Sequence, residues 1–281
     1  MTGGYGYIGS RVIQDLRQRG VPFVAVDRQF KKSGGQEVRL DLTDAARVKA
    51  FLARHQPKLV IHAGTHSAMA YKEDFAVLFD EDYASLRNIF AALDERCRLV
   101  MFSSSYVYSG LPPRDVVTEA TALAPQHTFG VAKVFFEQYV RRVHPNSVVL
   151  RLSSVYGPGR ALHPNAIAGM IEECRATGNV TVWGKGSRMM QYIYIDDVLQ
   201  AIHVAAKVSP GIYNLGGKEY TSLKEAASII ARTLSGNVVF LRDKVEGESL
   251  PRMAVTPLRA HGFKPTSLHK GLQAYISSYG S

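Results

Sequence analysis

Three glycines near the start of the chain, Gly3, Gly6 and Gly9, are spaced as G-x-x-G-x-x-G before an amphipathic stretch. Glycine at these positions permits a tight turn and lets backbone N–H groups approach a pyrophosphate at the positive end of a helix. The next apolar run ends in Asp27, 18 residues after Gly9, where a carboxylate accepts hydrogen bonds from an adenosine ribose. These residues predict a dinucleotide site; the alternative is a glycine-rich turn followed by a surface aspartate.

Asp27 also indicates which dinucleotide is bound. Its negative charge repels a 2′-phosphate, so the sequence favours NAD, and NADP is the less favoured cofactor. Arg28 is the next residue, and its positive charge would soften this preference.

The composition and the other reactive side chains exclude several classes of protein. His62 and His66 follow a strand and no HExxH or Cys/His quartet occurs, so we expect no metal site. Ser104 is not part of a G-x-S-x-G motif, which disfavours a role for it as the nucleophile of a hydrolase. The net charge of +10 suits anionic ligands, but the short basic pairs predict no nucleic-acid partner. Two distant cysteines, no membrane-length apolar run and no visible signal peptide predict a cytoplasmic protein without a membrane partner.

Short apolar runs alternate with amphipathic stretches through the first half of the chain. Their spacing predicts helices over 8–19, 45–55, 83–93 and 131–143, and strands over 23–26, 59–61, 99–102 and 148–150. Strands that alternate with helices of this length are typical of βαβ units. The predicted fold is therefore α/β, a Rossmann-like doubly wound parallel sheet.

The pattern changes after residue 159. The spacing there predicts helices over 166–176, 197–207 and 222–234 and from 268, with strands over 180–183, 212–215 and 238–241. Ser222 is a suitable cap for the helix that follows it. This part of the chain predicts a smaller C-terminal α+β lobe over the ends of the parallel sheet.

The first strand of the sheet is apparently missing or truncated. A dinucleotide fold needs a strand before the glycine loop, and in this sequence Met1 alone precedes Thr2. Either the start lies farther upstream, or the first strand position is empty or filled otherwise. We favour an upstream start, because an open position in the middle of the sheet would leave two ladders unpaired.

Several motifs occur in a fixed order along nearly the whole chain. They are TGGYGYIG (2–9), Asp41-Leu42, VIHAGT (60–65), SSSYVY (103–108), RLSSVYGPG (151–159), YIYIDDV (192–198) and YNLG (213–216). Together they resemble the extended short-chain dehydrogenase/reductase family, the NAD-dependent nucleotide-sugar epimerases and dehydratases. The resemblance implies that NAD is held by Gly3, Gly6, Tyr7, Ile8, Gly9, Asp27, Arg28, Asp41, Leu42, Ala63, Gly64, Thr65 and Lys133. It also implies epimerisation, dehydration or reduction of a nucleotide-sugar substrate through hydride transfer.

The catalytic centre of this family is Tyr-x-x-x-Lys, and the corresponding residues here are Phe129 and Lys133. In the family, the lysine binds the nicotinamide ribose and the tyrosine moves a proton to or from a sugar hydroxyl. A general acid–base group contributes ~10²–10⁴-fold, so phenylalanine should impair conventional turnover. The resemblance places Ser104 at the catalytic Ser/Thr. In a rearranged site Tyr106 or His127 would supply the proton, although Tyr106 is equally suited to form a wall of the sugar pocket.

The substrate residues follow from the same resemblance, with two departures. The predicted substrate-binding residues are Ser105, Tyr106, Ser154 and Arg188. Arg188 lies two residues before the position of the arginine that grips the nucleotide diphosphate in the family, where this chain has Met190. Asp82 stands where the family usually has asparagine near the cofactor. The alternative to an enzyme is a catalytically impaired dinucleotide-binding sensor or partner subunit.

The resemblance also implies how the chain is organised. Residues 1–154 and 190–216 would form the NAD-binding Rossmann-like domain, and residues 155–189 and 217–281 the substrate-binding lobe. In the family, the helices that match 83–93 and 131–143 form a four-helix interface, which predicts a homodimer.

Overall fold

A computed structural model of the protein describes residues 1–31, 34–159 and 165–279, so residues 32–33, 160–164 and 280–281 of the predicted domains lie outside the described residues. Its helices are α1 (Tyr7–Gln18), α2 (Ala45–His55), α3 (Ala68–Glu73), α4 (Phe75–Phe90), α5 (Thr128–Val143), α6 (Ala166–Thr177), α7 (Ile195–Ala205), α8 (Leu223–Thr233), α9 (Thr256–Ala260) and α10 (Leu268–Ser277). Its strands are β1 (Ala25–Asp27), β2 (Glu37–Arg39), β3 (Leu59–His62), β4 (Arg98–Ser104), β5 (Val116–Val117), β6 (Ser147–Leu152), β7 (Ser154–Tyr156), β8 (Asn179–Trp183), β9 (Met189–Tyr194), β10 (Gly211–Leu215), β11 (Tyr220–Ser222), β12 (Asn237–Leu241) and β13 (Arg252–Met253). A 3-10 helix covers Ser105–Tyr108. Across the described ranges, none of the helices is long and apolar enough to cross a membrane.

The central sheet is parallel, with β2-β1 on one side of Thr2 and β3-β4-β6-β10 on the other. The N–H of Thr2 donates to Ile61 O at 3.0 Å, and its carbonyl accepts from Ala63 N at 3.2 Å. Val26 N donates to Met1 O at 2.8 Å. The first strand is very short, in keeping with the prediction of a missing or truncated strand: Thr2 forms single bridges to Val26 and His62. Met1 and Thr2 stand at this position and give both neighbouring ladders hydrogen-bond partners at the end where the glycine loop begins.

Alternate residues of the central strands face opposite sides of the sheet. In β4, Val100 and Phe102 belong to one apolar core with α1 and α7, whereas Leu99 and Met101 belong to another with α2, α4 and α5. Strands that are buried on both faces between helices are typical of doubly wound α/β folds. The predicted Rossmann-like fold is confirmed.

Most of the elements begin or end one to three residues from the predicted bounds, and the differences at β1 and α4 have physical reasons. β1 covers residues 25–27 instead of 23–26, because its partner β2 pairs with it through only three residues. α4 begins eight residues earlier than predicted, at Phe75, because the side chain of Asp74 accepts from Val77 N and caps the helix there. By contrast, α2 covers the predicted residues 45–55.

The later part of the chain forms smaller sheets and helices. β9 pairs with β7 and β11, β8 pairs with β12, and β5 pairs with β13. The predicted cap at Ser222 is present: its hydroxyl accepts from Glu225 N, and the Glu225 carboxylate accepts from Ser222 N in return. α8 packs on α6 and on the β8–β12 pair, which gives this part of the fold its own buried layer.

Candidate functional site

The glycine loop forms a tight turn between Thr2 and α1. Gly3 has a φ of 70°, and a Cβ there would lie 2.4 Å from the carbonyl carbon of Ala63. A Cβ on Gly9 would lie 1.9 Å from the carbonyl oxygen of Gly3, so neither position accommodates a side chain. Gly6 is the N-cap of α1, and no side chain of the described residues caps the first N–H groups of this helix. The turn therefore presents a helix N-terminus suited to an anion.

A cleft of about 450 Å³ lies where the glycine loop meets the carboxyl ends of the central strands. Every residue that the sequence assigns to the cofactor lines it: Gly3, Gly6, Tyr7, Ile8, Gly9, Asp27, Arg28, Asp41, Leu42, Ala63, Gly64, Thr65 and Lys133. Parallel strands bring their carboxyl ends to one edge of a sheet, which is where ligands bind in such folds. The structure thus brings this predicted set together.

Two carboxylates on the cleft wall are held by backbone N–H groups. Asp27 accepts from Tyr5 N at 3.0 Å and from Gln29 N at 2.8 Å. Asp41 accepts from Thr43 N at 2.9 Å and from Thr43 Oγ1 at 2.8 Å, and these hydrogen bonds lower the pKa of Asp41. Both carboxylates are therefore fixed in orientation before any ligand arrives.

Lys133 on α5 is almost completely buried, with 3% of its surface exposed. Its Nζ donates to Thr65 Oγ1 at 3.1 Å and to Phe102 O at 3.2 Å. Burial lowers the pKa of this amine, and nearby carboxylates partly oppose the effect. Nζ lies 5.1 Å from the centre of the Phe129 ring. The lysine therefore faces an aromatic ring that has no hydroxyl to polarise.

The Phe129 ring contacts two tyrosine rings. Its ring centre lies 5.6 Å from that of Tyr71 and 6.1 Å from that of Tyr106, both edge-on. The Tyr106 ring is 4.7 Å from His127, whose pKa is lowered by burial. Tyr106 thus contacts both Phe129 and His127, but neither Tyr106 nor His127 is among the described residues that line the cleft.

The three serines at the end of β4 have different surroundings. Ser103 lines the cleft, and its hydroxyl donates to the buried Glu137 carboxylate at 2.5 Å. Ser104 is buried, and its Oγ accepts from Tyr106 N at 3.3 Å. Ser105 is also buried and begins the 3-10 helix. Of the three, only Ser103 reaches the cleft.

The structure does not bring the two remaining predicted substrate residues to the cleft wall. Ser154 pairs with Tyr192 in the β7–β9 ladder. The Nε of Arg188 donates to Glu248 O at 2.8 Å. Among the described residues that line the cleft, neither Ser154 nor Arg188 occurs, so their role in substrate binding stays a prediction.

A hydrogen-bonded group of polar side chains beside the cleft was only partly predicted from the sequence. Asp82 is 2% exposed, and its carboxylate accepts from Tyr71 Oη at 2.9 Å and contacts His66 Nδ1 at 2.8 Å. Both His66 and Asp82 line the cleft. Sequence reasoning singled out Asp82 and weighed His66 only as a metal ligand, and it did not identify Tyr71. The available signal was the position of His66, just beyond the carboxyl end of β3.

Residues 1–216 match the description "NAD dependent epimerase/dehydratase family". The chain belongs to this family. A dTDP-4-dehydro-6-deoxyglucose reductase of Escherichia coli is 26% identical to this chain over 269 residues, which cover 85% of this chain and 82% of the reductase.

Two solved structures share the fold of this family member. The NAD complex of Thermus thermophilus UDP-glucose 4-epimerase has a TM-score of 0.85 at 24% identity, covering 100% of this chain and 98% of that one. The Thermotoga maritima UDP-glucose 4-epimerase with UDP-glucose has a TM-score of 0.87 at 20% identity, covering 99% and 97%. The predicted family and fold are therefore both confirmed.

The cleft of this family member fits a dinucleotide. Side chains are excluded from the turn at Gly3 and Gly9, so backbone N–H groups at the start of α1 face the cleft without obstruction. Asp27 lines the same cleft at the end of β1, with its carboxylate already oriented. These are the features that a pyrophosphate and a ribose need.

Proposed function

We propose that this protein binds NAD in the cleft and catalyses the epimerisation, dehydration or reduction of a nucleotide-linked sugar. One observation carries the proposal: Lys133 is buried in the same cleft as the glycine loop and Asp27, with its amine on Thr65 Oγ1. The E. coli relative is named for a dTDP-linked sugar, and the T. maritima structure contains UDP-glucose. These names support a nucleotide sugar as the substrate class.

Each cofactor residue has a distinct task in this proposal. NAD, when bound, supplies the nicotinamide ring that accepts or donates a hydride. The N–H groups at the start of α1 bind the pyrophosphate, Asp27 binds the adenosine ribose, and Lys133 binds the nicotinamide ribose. The buried charge of Lys133 also stabilises negative charge on a sugar oxygen, because a cation in a desolvated site interacts strongly.

The proton path is atypical in this proposal, because Phe129 cannot carry a proton. Tyr106 and His127 contact each other beside Phe129 and are the two candidates. Ser104 would hydrogen-bond the reacting hydroxyl. A positioned acid–base group contributes ~10²–10⁴-fold, so an imperfectly placed substitute gives slow turnover.

The sugar nucleotide would bind between two lobes. Residues 1–154 and 190–216 form the cofactor domain in this proposal, and residues 155–189 and 217–281 form the substrate lobe. Ser105, Tyr106, Ser154 and Arg188 would contact the substrate. We also assign the protein to the cytoplasm, because free Cys97 and Cys174 suit a reducing compartment.

A homodimer is part of the proposal, and its support is an exposed aromatic face on α4 and α5. Phe75 and Phe135 are 37% and 42% exposed. The Phe79 and Tyr83 rings stack, and Phe135 contacts both of them at steeper angles. A contiguous exposed apolar face of this kind marks an interface. Light scattering after gel filtration should give twice the chain mass of 30.9 kDa, and Phe135→Glu should give the monomer. A wild-type monomer would contradict the assignment.

The second candidate is a non-catalytic dinucleotide-binding sensor or partner subunit. The absent hydroxyl at Phe129 favours it, since the cleft would still bind the cofactor without turning over a sugar. The two candidates share the cleft and differ only in chemistry.

A two-stage experiment tests both candidates. NADH is first titrated into the protein while the nicotinamide fluorescence is followed. The NAD+ complex is then mixed with UDP-, dTDP- and GDP-linked sugars, and the NADH complex with their 4-keto forms. Nicotinamide absorbance reports hydride transfer, and chromatography of the sugar nucleotides detects the epimerised, dehydrated or reduced product. We expect NADH to bind, slow turnover with one sugar class, faster turnover in Phe129→Tyr, and loss of turnover in Tyr106→Phe.

The outcomes separate the candidates. Cofactor binding with no turnover in the wild type, Phe129→Tyr or Tyr106→Phe would support the sensor. Absence of NADH binding would refute both candidates.

A further inference from the structure

Glu81 is a further acidic residue that lines the cleft, and it comes from a different part of the fold than Asp27. Asp27 is at the end of β1, whereas Glu81 is on α4, and both side chains line the cleft. Arg28, the residue after Asp27 in the chain, also lines the cleft. In a dinucleotide fold, an arginine near this position is the group that accommodates a 2′-phosphate.

Arg28 is already engaged by α4 and by the segment after β3. Its Nη1 donates to Glu81 Oε2 at 3.0 Å, and its Nη2 lies 3.3 Å from His66 Nε2. His66 Nε2 is also 3.3 Å from Glu81 Oε2, so the three groups form one cluster. Both terminal nitrogens of the Arg28 guanidinium, Nη1 and Nη2, therefore already have a partner in this cluster.

This cluster is anchored to the interior of the protein. His66 contacts the buried Asp82 through its backbone N–H at 3.3 Å and through Nδ1 at 2.8 Å. Asp82 is in turn held by Tyr71 Oη at 2.9 Å, and Tyr71 is 1% exposed. An isolated surface ion pair contributes little, but a pair fixed within a hydrogen-bonded network keeps its geometry.

We propose that Glu81 is a specificity-determining residue that makes the cleft selective for NAD by holding Arg28 in this cluster. The inference rests on the proposed binding of a dinucleotide. A 2′-phosphate brings close to two negative charges. It meets the carboxylates of Asp27 and Glu81, while Arg28, the arginine that lines the cleft beside Asp27, is already paired with Glu81. Removal of the Glu81 charge frees Arg28 and removes one source of repulsion.

The test is a comparison of dissociation constants for NADH and NADPH, measured by nicotinamide fluorescence and by calorimetry at fixed ionic strength. The proteins are the wild type, Glu81→Gln, Glu81→Gln combined with Arg28→Leu, and the exposed control Glu95→Gln. Glu81→Gln should strengthen NADPH binding about fivefold relative to NADH, the scale of one partly exposed charge pair. The double variant should lose that gain, and Glu95→Gln should match the wild type.

The possible results separate this inference from the proposal on which it rests. Wild-type binding of NADH with the same NADPH-to-NADH ratio in Glu81→Gln overturns the role of Glu81 and leaves cofactor binding intact. An equal gain in NADPH affinity in Glu81→Gln and in the double variant also overturns the role of Glu81, because the gain then does not depend on Arg28. Failure of the wild type to bind either cofactor overturns the proposed function, and this inference with it.

Discussion

Replacement of Glu137 by Gln should strongly destabilise the protein, because it leaves a buried arginine without its counter-ion. Glu137 is fully buried and Arg151 is 2% exposed. Arg151 donates to Glu137 through Nε at 2.9 Å and through Nη2 at 2.7 Å, a bidentate pair. Ser103 donates to the same carboxylate. A glutamine amide would turn N–H groups toward a guanidinium that can only donate.

The magnitude follows from this geometry. Removal of one partner of a buried ion pair costs about 3–5 kcal/mol, whereas replacement of both partners by apolar residues is often close to neutral. Against a typical free energy of unfolding of about 5–15 kcal/mol, the single change removes a large share of the stability. Because Ser103 lines the cleft, we also expect weaker NADH binding in the folded fraction.

Urea unfolding followed by circular dichroism tests the reasoning with three variants. Glu137→Gln should lose about 3–5 kcal/mol, and Glu137→Leu combined with Arg151→Met should recover most of that loss. The control is Glu37→Gln, which breaks the exposed pair with Arg17 and should cost less than about 1 kcal/mol. A loss in Glu137→Gln no larger than in the control, or a double variant less stable than the single one, would refute the argument.

Three further predictions concern the turn, a buried histidine and a helix cap. Gly9→Ala should weaken NADH binding at least about tenfold, because its Cβ would lie 1.9 Å from Gly3 O. The control is Gly169→Ala, whose Cβ would meet nothing within 4 Å. Equal NADH titration curves for the two variants would contradict the loop geometry. Burial lowers the pKa of His62 from 6.5 to about 4. Between these two pH values His62 is therefore protonated in the unfolded chain and neutral in the folded protein. The free energy of unfolding should therefore fall by about 3 kcal/mol between pH 6.5 and pH 4, measured by urea unfolding across this range. In His62→Asn the free energy of unfolding should depend less steeply on pH over this range. The same slope in the variant as in the wild type would mean that other groups cause the effect. Ser222→Ala should lower the free energy of unfolding by about 1 kcal/mol, because it removes the hydroxyl half of the capping box on α8. Ser228→Ala, inside the same helix, is the control and should not lower it by this amount. Equal losses in the two variants would argue against the cap.

Local features of the sequence predicted most of the elements. Helix α2 has the predicted bounds because its apolar spacing and its cap at Asp44 all lie within one short window of the chain. The cap at Ser222 was found for the same reason. The family resemblance implied the cofactor residues as one set, and the fold brings them together because the carboxyl ends of parallel strands meet at one edge of a sheet.

Contacts between distant segments decided what the local pattern could not. Which of the adjacent serines lines the cleft depends on how β4 passes into the 3-10 helix: Ser103 lines it, whereas the Oγ of Ser104 accepts from Tyr106 N in that helix. The clustering of Arg28 with Glu81 needed the packing of α4 against the sheet, since 53 residues separate the two side chains.

The sequence by itself determined the order of strands and helices, the glycine turn and the loss of a hydroxyl at Phe129, because each depends on residue type and short-range spacing. Only the tertiary structure decided that Thr2 completes the middle of the sheet, and that Arg28 is bound by α4. Hydrogen bonds and ion pairs of this kind form between groups far apart in the chain, and they exist only once the core has brought their backbones together.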